Sequence, residues 1–298
     1  MSLAGRRIAV VGGDEREQEI ARLAAEAGAE VAAYGFPWPA GGIEGVRLAV
    51  DPADALRGTH YALFPIPGIA ADGSLFAPAA PSPIVPDAAL LGVLAPGAHV
   101  ILGAADERLR IAAAEARVGL HEYEHDEELM LLRGPAIVEG ALALAIEHTR
   151  VTIHAAPVAI VGQGTIGSLL TRTLLALGAR VHVAARNPVQ RASAYAAGAD
   201  AVPLEALPEL AARVTMLFST VPAPVVGREA LERLPRGALV MDLAAPPGGI
   251  DLAAARELGH VAVWARGLGR RAPVTVGASQ WSGIRKRIET IEEERSES

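Results

Sequence analysis

The stretch VAIVGQGTIGSLL, residues 158–170, holds the pattern from which the fold of this chain is read. A run of β-branched and small apolar residues comes first and is typical of a buried strand. Gly162, Gly164 and Gly167 follow with the spacing GxGxxG, and an apolar stretch with helical periodicity comes next. A strand, a glycine turn and a helix in this order predict a dinucleotide-binding turn rather than an ordinary tight turn.

The residues of this turn have expected parts in holding the pyrophosphate of a dinucleotide. Gly162 allows the tight turn, Gly164 lets the backbone approach the phosphates, and Gly167 lets the helix pack closely on the strand. The N-terminus of the helix offers N–H groups and a favourable dipole to the phosphates. The predicted cofactor residues of the turn are Gly162, Gln163, Gly164, Thr165, Ile166 and Gly167.

The end of the next predicted strand, AARNP, indicates which dinucleotide binds. An NAD enzyme usually places Asp or Glu here to bind the ribose 2′-hydroxyl, whereas an arginine pairs with the 2′-phosphate of NADP. Arg186 and Asn187 stand here, and no acidic residue adjoins them in the sequence. The sequence therefore predicts NADP, and the alternative is that Arg186 is a solvated arginine in an arginine-rich chain.

Two later strand ends add candidates for the cofactor site. FSTVPAP (218–224) and MDLAAPPGGID (241–251) each contain the end of an apolar run. The carboxyl ends of parallel strands face the ligand crevice in this fold, so we expect these residues to lie near the nicotinamide ribose. Asp242 could instead cap a neighbouring turn. The candidates are Ser219, Thr220, Val221, Pro222 and Asp242.

Strands and helices alternate along the 298 residues, which predicts an α/β protein with parallel sheets. We expect an N-terminal open parallel α/β domain of flavodoxin-like type, including a connector helix, over 1–148. A Rossmann NAD(P)-binding domain is expected over 149–273, and a C-terminal helix over 274–298 that packs back on the first domain. Gly134-Pro135 is expected to break or restart the connector helix, because proline disrupts a helix interior.

Composition excludes several classes of function. The net charge of −7 gives no global electrostatic case for nucleic-acid binding, and the absence of cysteine excludes disulfides and cysteine-ligated zinc. The long uncharged stretch 88–105 is interrupted by Pro96 and Gly97, which argues against a membrane span there. The single lysine, Lys286, leaves little room for lysine catalysis. We expect a soluble cytoplasmic protein with no membrane or nucleic-acid partner.

A second glycine turn, GGDEREQE (12–19), follows the first predicted strand. It lacks the GxGxxG spacing and so is not a second full dinucleotide site, but its glycines and the first helical turn could hold an anion. Asp14 and Glu17 have the spacing of a capping box. Arg16 is a candidate to bind a substrate carboxylate, and the alternative is an ordinary surface arginine.

Charged residues crowd the segment HEYEHDEELMLLRGPAIVEG (121–140), where the two domains are expected to meet. Small-molecule sites often form in such clefts. The His and carboxylate residues have no established metal-ligand spacing, so no metal site is predicted, and most of the charges fit a solvated helix face. Glu139 lies inside an apolar stretch, where burial would require a partner. The catalytic candidates from this segment are Asp126, Arg133 and Glu139.

These motifs together resemble those of the dipicolinate synthase A-subunit family. The resemblance rests on GGDEREQE, on the junction DEELMLLRGPAIVEGALALAIEHTRVTIH running into VAIVGQGTIG, and on VAARN, FSTVPA and MDLAAPPGGID. It covers nearly the whole chain, and the junction is its specific part, since GxGxxG alone matches many families.

The resemblance implies an NADP-dependent oxidation of dihydrodipicolinate to dipicolinate, on a branch of the lysine pathway used in sporulation. It implies that the partner is a flavoprotein-like B subunit and that the location is the mother-cell cytoplasm, and we also expect a homo-oligomer. Two loops depart from the family pattern: 133–136 reads Arg-Gly-Pro-Ala, and 266–278 lacks the family's lysine and contains Arg270 and Arg271.

The expected mechanism pairs arginines with the two carboxylates of the substrate. Arg16, Arg133 and one arginine of the 266–278 loop would bind them, preferably in bidentate fashion. The nicotinamide would take a hydride, and Glu139 or Asp126 would take the accompanying proton. Two alternatives stay open: another NAD(P)-dependent dehydrogenase of a small carboxylic acid, and a non-catalytic NADP-binding subunit whose chemistry lies in the B chain.

Overall fold

The structure is a computed structural model that describes residues 2–297. The chain divides into two compact units. The first comprises residues up to Arg133 together with those from Ala272 onward, and the second runs from Gly134 to Arg271. Each unit contains one six-stranded sheet in which every neighbouring pair of strands is parallel.

The first sheet has the strand order β3-β2-β1-β4-β5-β6. Alternate residues of its first strand lie on opposite faces of the sheet. Ile8 and Val10 belong to one buried hydrophobic cluster, and Ala9 and Val11 belong to another. Without the short edge strand β3, the remaining order is the flavodoxin-like one. The strands are β1 (Arg7–Val11), β2 (Glu30–Tyr34), β3 (Val46–Leu48), β4 (Tyr61–Leu63), β5 (His99–Leu102) and β6 (Gly119–Glu122).

Six helices belong wholly or partly to the first unit. The first and the last of them pack on each other, and Ile20 of the first shares a core cluster with Trp281 and Ile284 of the last. The helices are α1 (Glu15–Glu26), α2 (Pro52–Leu56), α3 (Ala88–Leu91), α4 (Glu107–Ala116), α5 (Glu127–Glu147) and α11 (Pro273–Glu297).

The second sheet has the order β12-β11-β10-β7-β8-β9, which repeats the topology of the first. Its strands are β7 (Pro157–Val161), β8 (Arg180–Ala184), β9 (Asp200–Val202), β10 (Met216–Ser219), β11 (Leu239–Asp242) and β12 (Val261–Trp264). Its helices are α6 (Thr165–Ala176), α7 (Pro188–Ala196), α8 (Leu207–Ala211), α9 (Arg228–Arg233) and α10 (Leu252–Glu257). The predicted fold class, two parallel α/β domains with the second of Rossmann type, is confirmed.

The strand order reverses beside the first strand of each sheet, between β1 and β4 in one unit and between β7 and β10 in the other. Open parallel sheets bind ligands at the carboxyl ends of the strands at such a reversal. Each unit therefore has one place where a ligand is expected. In the first unit it follows Val11, and in the second it follows Val161.

Helix α5 is continuous through Gly134-Pro135, so the expected break is wrong. Gly134 brings the helix close to α6, because a Cβ there would lie 2.3 Å from Leu169 Cδ1. The units divide at this glycine rather than at residue 148, since the later part of α5 buries Val138 and Ala141 in the core of the second unit. By length and composition α5 is apolar enough to cross a membrane. Part of its apolar surface is buried in the core of the second unit, and Leu131, Leu132 and Ile146 are exposed.

Candidate functional site

The turn between β7 and α6 requires glycine at two places for different reasons. Gly162 has a φ of +94°, and a Cβ there would lie 2.7 Å from Val221 Cγ2 and 2.8 Å from Thr220 Oγ1. Gly167 has an ordinary φ, but its Cβ would lie 2.3 Å from the main-chain oxygen of Gly162. The first glycine shapes the turn, and the second lets helix and strand approach each other.

Gly164 occupies the N-cap position of α6 and differs from both. Among residues 2–297, no atom lies within 4 Å of the position of its Cβ, and no side chain accepts a hydrogen bond from the first amides of the helix. The first N–H groups of a helix lack partners inside it, and together with the helix dipole they favour an anion. The turn therefore presents an open, uncapped helix N-terminus.

A cavity of about 400 Å³ lies against this turn, within the second unit. Of the predicted cofactor residues, those that line it are Gly162, Gln163, Gly164, Arg186, Asn187, Thr220, Val221 and Pro222. Sequence reasoning missed the remaining lining residues, which are Val161, Ala184, Ala185, Gln190, Leu204, Ala223 and Val225. Gln190 carried a usable signal, because it stands in the first turn of the helix that Asn187 precedes.

Five predicted cofactor residues do not line this cavity. Thr165 and Ile166 lie half-buried in the first turn of α6, and Gly167 lies beneath the turn. Ser219 is fully buried, and its Oγ would lie 2.3 Å from a Cβ at Gly249. The fifth, Asp242, has a separate role.

Asp242 holds the loop that follows β11. It is 1% exposed, and its Oδ1 accepts a hydrogen bond from the amide of Ala244 at 3.0 Å. Its Oδ2 accepts from the amides of Gly249 at 2.7 Å and Ile250 at 3.1 Å. Both oxygens are thus occupied by main-chain donors, and this geometry favours the capping alternative.

The segment that follows β8 carries positive charge, and its main chain is held by hydrogen bonds from side chains. Arg186 is exposed, and Asn187 caps α7 by accepting from the amide of Val189 at 2.8 Å. Arg191 donates from Nη1 to the carbonyl oxygens of Ala185 at 2.9 Å and of Arg186 at 2.7 Å. No acidic residue is among those that line the cavity within the described part of the chain.

The corresponding turn of the first unit is closed by the chain itself. Gly13 has a φ of +103° and donates to the Phe76 carbonyl at 2.6 Å, and its Cβ would lie 2.1 Å from the Glu17 carboxyl carbon. Glu17 accepts from the Asp14 amide at 2.7 Å, completing the predicted capping box. The expected anion site at Gly12 and Gly13 is therefore wrong, because the protein's own carboxylate fills it.

Glu17 is a buried acid, only 2% exposed. Burial raises its pKa to about 7, against the opposing effects of the Arg16 charge and the Asp14 amide. A carboxyl group removed from water favours its neutral form. Glu17 therefore keeps its proton at a higher pH than an ordinary glutamate does.

Arg16 is 7% exposed and lies against Asp14 in a bidentate ion pair. The Nε–Oδ1 distance is 2.7 Å and the Nη2–Oδ2 distance is 2.9 Å. Burial alone would lower its pKa, but Asp14 and Glu17 more than offset this, and the pKa is raised. As a carboxylate-binding group Arg16 is largely occupied, and it is not the surface arginine of the alternative interpretation.

Arg133 is half-buried and forms no ion pair with a carboxylate in the described part of the chain. Its Nε lies 3.5 Å from Met130 Sδ, a weak contact for a guanidinium. Burial lowers its pKa, although the charge of Glu124 opposes the shift. An incompletely paired guanidinium in such a place is available to an anionic ligand.

The two proposed proton acceptors are both in ion pairs. Glu139 is exposed and pairs with Arg271, so the expectation that it is buried is wrong; it lies on the outer side of α5. Asp126 lies 3.3 Å from Arg287 and accepts from the Leu129 amide. Burial would raise the pKa of Asp126, but these two partners outweigh it and the pKa is lowered. A carboxylate with a lowered pKa is a weak base.

Comparison with known proteins agrees with this geometry. Residues 7–124 match the family model for the N-terminal domain of the dipicolinate synthase A subunit, and residues 143–263 match "Shikimate / quinate 5-dehydrogenase". The A subunit of dipicolinate synthase from Bacillus subtilis (strain 168) is 29% identical over 98% of this chain and 99% of that protein. The second unit therefore has an NAD(P)-binding fold of dehydrogenase type.

Solved structures extend the likeness to three dimensions. The A chain of dipicolinate synthase from Bacillus subtilis matches with a TM-score of 0.87 and 28% identity, over 98% of this chain and 99% of that one. The A subunit from Bacillus halodurans gives 0.86 and 27%, over 96% and 98%. A transhydrogenase from Sinorhizobium meliloti shares the fold, at 0.68 and 16%, over 95% and 94%. The predicted resemblance to the A subunit of dipicolinate synthase is confirmed along the whole chain.

Alanine substitutions at two glycines of the β7–α6 turn should separate binding from folding. Gly164→Ala should leave the melting temperature nearly unchanged but abolish most NADPH binding, because its methyl group points into open space at the helix N-terminus. Gly167→Ala should lower the free energy of unfolding by about 1–3 kcal/mol, because main chain must move. Thermal unfolding measures the stability of both variants, and titration with NADPH measures their binding. Normal NADPH binding by Gly164→Ala would refute the assignment of the phosphate site.

Glu17→Gln should change how stability depends on pH. The folded pKa of Glu17, about 7, lies above its ordinary value of 4.5. The contribution of its protonated form to the free energy of unfolding is therefore full below pH 4.5 and is lost as pH rises to 7. Glutamine retains the cap and does not ionise. The variant should therefore gain stability relative to wild type across this range, on the order of a few kcal/mol at most.

Urea unfolding at several pH values measures this difference. Glu15→Gln is the matched control, because Glu15 is exposed in the same helical turn. A stability difference between Glu17→Gln and wild type that does not change from pH 4.5 to 7 would show that Glu17 ionises as an ordinary surface acid.

Proposed function

We propose that this chain, similar over its full length to the A subunit of dipicolinate synthase, catalyses the NADP-dependent oxidation of dihydrodipicolinate to dipicolinate. The observation that carries the proposal is the uncapped N-terminus of α6 beside a cavity that contains Arg186 and no acid. The likeness to the A subunit of dipicolinate synthase supports a role in forming dipicolinate, and the residues that line the cavity support NADP as the cofactor.

The residues of the second unit suit the separate parts of NADP. Gly162 and Gly164, with the first amides of α6, would bind the pyrophosphate. Arg186 would pair with the 2′-phosphate, while Thr220 and Pro222 would lie by the nicotinamide ribose. When bound, the nicotinamide accepts a hydride from the substrate. The protein's contribution is to hold the cofactor in one orientation and to exclude water.

The substrate would be held through its carboxylates by arginines of the first unit. Arg133 is the stronger candidate, because its guanidinium has no carboxylate partner among the described residues. Arg16 would contribute mainly through its charge, since Asp14 occupies two of its nitrogen atoms. The ion pairs of Glu139 and Asp126 weigh against a role for either as the proton acceptor.

The resemblance also supports proposals about the cellular setting. A flavoprotein-like B subunit would be the partner, the site of action would be the mother-cell cytoplasm during sporulation, and the chain would also form a homo-oligomer. A second candidate function is a non-catalytic NADP-binding subunit. The observation in its favour is that 133–136 and 266–278 depart from the family pattern, and Arg271 is engaged with Glu139 on the surface.

Product formation tests the reaction directly. The lysine-pathway intermediate is generated from aspartate semialdehyde and pyruvate by its synthase, and NADP or NAD is added with and without the B subunit. Pyridine-2,6-dicarboxylate formed with NADP and this chain alone supports the proposal. Tight NADPH binding with product only when B is present would favour the non-catalytic alternative, and no product under any condition would contradict the proposed reaction.

Arg186→Ala should weaken NADPH binding and leave NADH binding unchanged. Loss of a charge-assisted contact to the 2′-phosphate corresponds to about ten- to a hundredfold in Kd. Fluorescence titration of both nucleotides measures the ratio, with Arg256→Ala as a control for a general loss of positive charge. Equal weakening for both nucleotides, or none for either, would contradict the role of Arg186.

A further inference from the structure

The residue between the first two glycines of the β7–α6 turn is a glutamine that is almost fully buried. Gln163 is 6% exposed, and it lines the cavity of the second unit. A glutamine carboxamide has an oxygen that accepts hydrogen bonds and a nitrogen that donates two. A polar side chain so far removed from water needs partners, and these partners indicate what it can do.

Helix α6 holds the oxygen end of this carboxamide. Thr171 is 0% exposed, and its Oγ1 donates to Gln163 Oε1 at 3.0 Å. Ser168 Oγ donates to the main-chain oxygen of Gln163 at 3.3 Å. Two hydroxyl groups of one helix therefore fix both the side chain and the main chain of Gln163. With Oε1 bound to Thr171, the carboxamide has a single orientation, in which Nε2 is directed away from this hydroxyl.

The nitrogen end of the same carboxamide is free to donate. Gln163 Nε2 has no hydrogen-bond partner among residues 2–297, yet it is not one of the fully buried polar atoms that lack a partner there. A ligand in the cavity that Gln163 lines can therefore reach this nitrogen. Leaving a donor unpaired in a bound complex would be costly, so a ligand that fits the cavity should offer it an acceptor.

The surroundings of Gln163 indicate the kind of acceptor. No acidic side chain lines the cavity within the described part of the chain, so a negatively charged acceptor would belong to the ligand. Gly162 and Gly164, on either side of Gln163, are the residues proposed above to bind the pyrophosphate. A fixed N–H group beside the open amides of a helix N-terminus suits a phosphate oxygen, because a hydrogen bond to a charged acceptor is stronger than a neutral one.

We propose that Gln163 binds the pyrophosphate of the nucleotide through Nε2, and that Thr171 is the positioning residue that keeps the carboxamide in this orientation. The inference rests on the proposed function and deepens it, because it adds a side-chain donor to the main-chain amides of the turn. The pyrophosphate is common to NADP and NAD. Gln163 therefore contributes affinity for both nucleotides, while discrimination between them belongs to Arg186.

Substitutions at Gln163 should weaken NADPH and NADH by the same factor. Gln163→Leu removes the donor and should raise both Kd values about tenfold. Gln163→Glu keeps the size and the bond from Thr171 but places a carboxylate oxygen beside the phosphates, so it should weaken both nucleotides further. Fluorescence titration measures the two reduced nucleotides. Adenosine 2′-monophosphate, which lacks the pyrophosphate, should bind wild type and both variants equally in isothermal titration.

Thr171→Val tests the positioning role, because it removes the hydroxyl and keeps the shape of the side chain. The carboxamide could then turn over, and equal populations of the two orientations would weaken both nucleotides about twofold. In a chain that already carries Gln163→Leu, Thr171→Val should cause no further weakening. Thr173→Val is the matched control, since the Thr173 hydroxyl on the same helix donates to the Leu169 main chain at 2.9 Å. It should leave nucleotide binding unchanged.

Thermal unfolding of the same variants separates a binding role from a structural one. If Gln163→Leu and Thr171→Val lower the melting temperature but leave both Kd values at the wild-type level, the pair only stabilises the turn and the inference is overturned. Weakening of NADPH alone by Gln163→Leu would also overturn it, because the contact would then be with the 2′-phosphate.

Failure of the inference can be distinguished from failure of the proposed function. Wild type that binds NADPH and forms product, with Gln163→Leu binding both nucleotides normally, refutes the inference and leaves the proposed function standing. The predicted pattern of Kd values without product under any condition refutes the reaction and supports the role of Gln163. Wild type that binds neither nucleotide and forms no product refutes both.

Discussion

The first amides of a helix need acceptors, and this protein provides side-chain acceptors at only one of two equivalent positions in the part of the chain that the structure describes. Helix α1 follows β1 and is capped by Asp14 and Glu17, with the Phe76 carbonyl accepting from the turn. Helix α6 follows β7 in a sheet of the same topology, but its N-cap is Gly164 and has no side chain to offer. Of these two helices, α6 is the one whose N-cap gives its first amides no side-chain partner in the described part of the chain, and this favours α6 as the proposed phosphate site.

Closing the first turn changes the electrostatics around it. The Glu17 carboxyl group that fills the turn is buried, so its pKa rises, and the neighbouring guanidinium of Arg16 is bound to Asp14. The positive charge that remains without a carboxylate partner near Tyr123, within the described part of the chain, is that of Arg133. The same fold thus leaves an uncapped helix N-terminus in one unit and a partly neutralised polar cluster in the other.

Much of this arrangement could be predicted from the sequence, because a residue pattern that extends over a whole strand or helix indicates which side chains are buried. The GxGxxG turn, the strand preceding it and the capping box of Asp14 and Glu17 follow from residue type and spacing. Glu139 was misjudged because apolar neighbours along a helix do not show which side faces solvent.

The most direct test of this account is a crystal structure of the full chain grown with NADPH. The account predicts one nucleotide per chain, with its pyrophosphate on the amides at Gly164 and its 2′-phosphate on Arg186, and no nucleotide at Gly12 and Gly13. A nucleotide bound at the first turn, or one in the second unit with its 2′-phosphate directed away from Arg186, would contradict it.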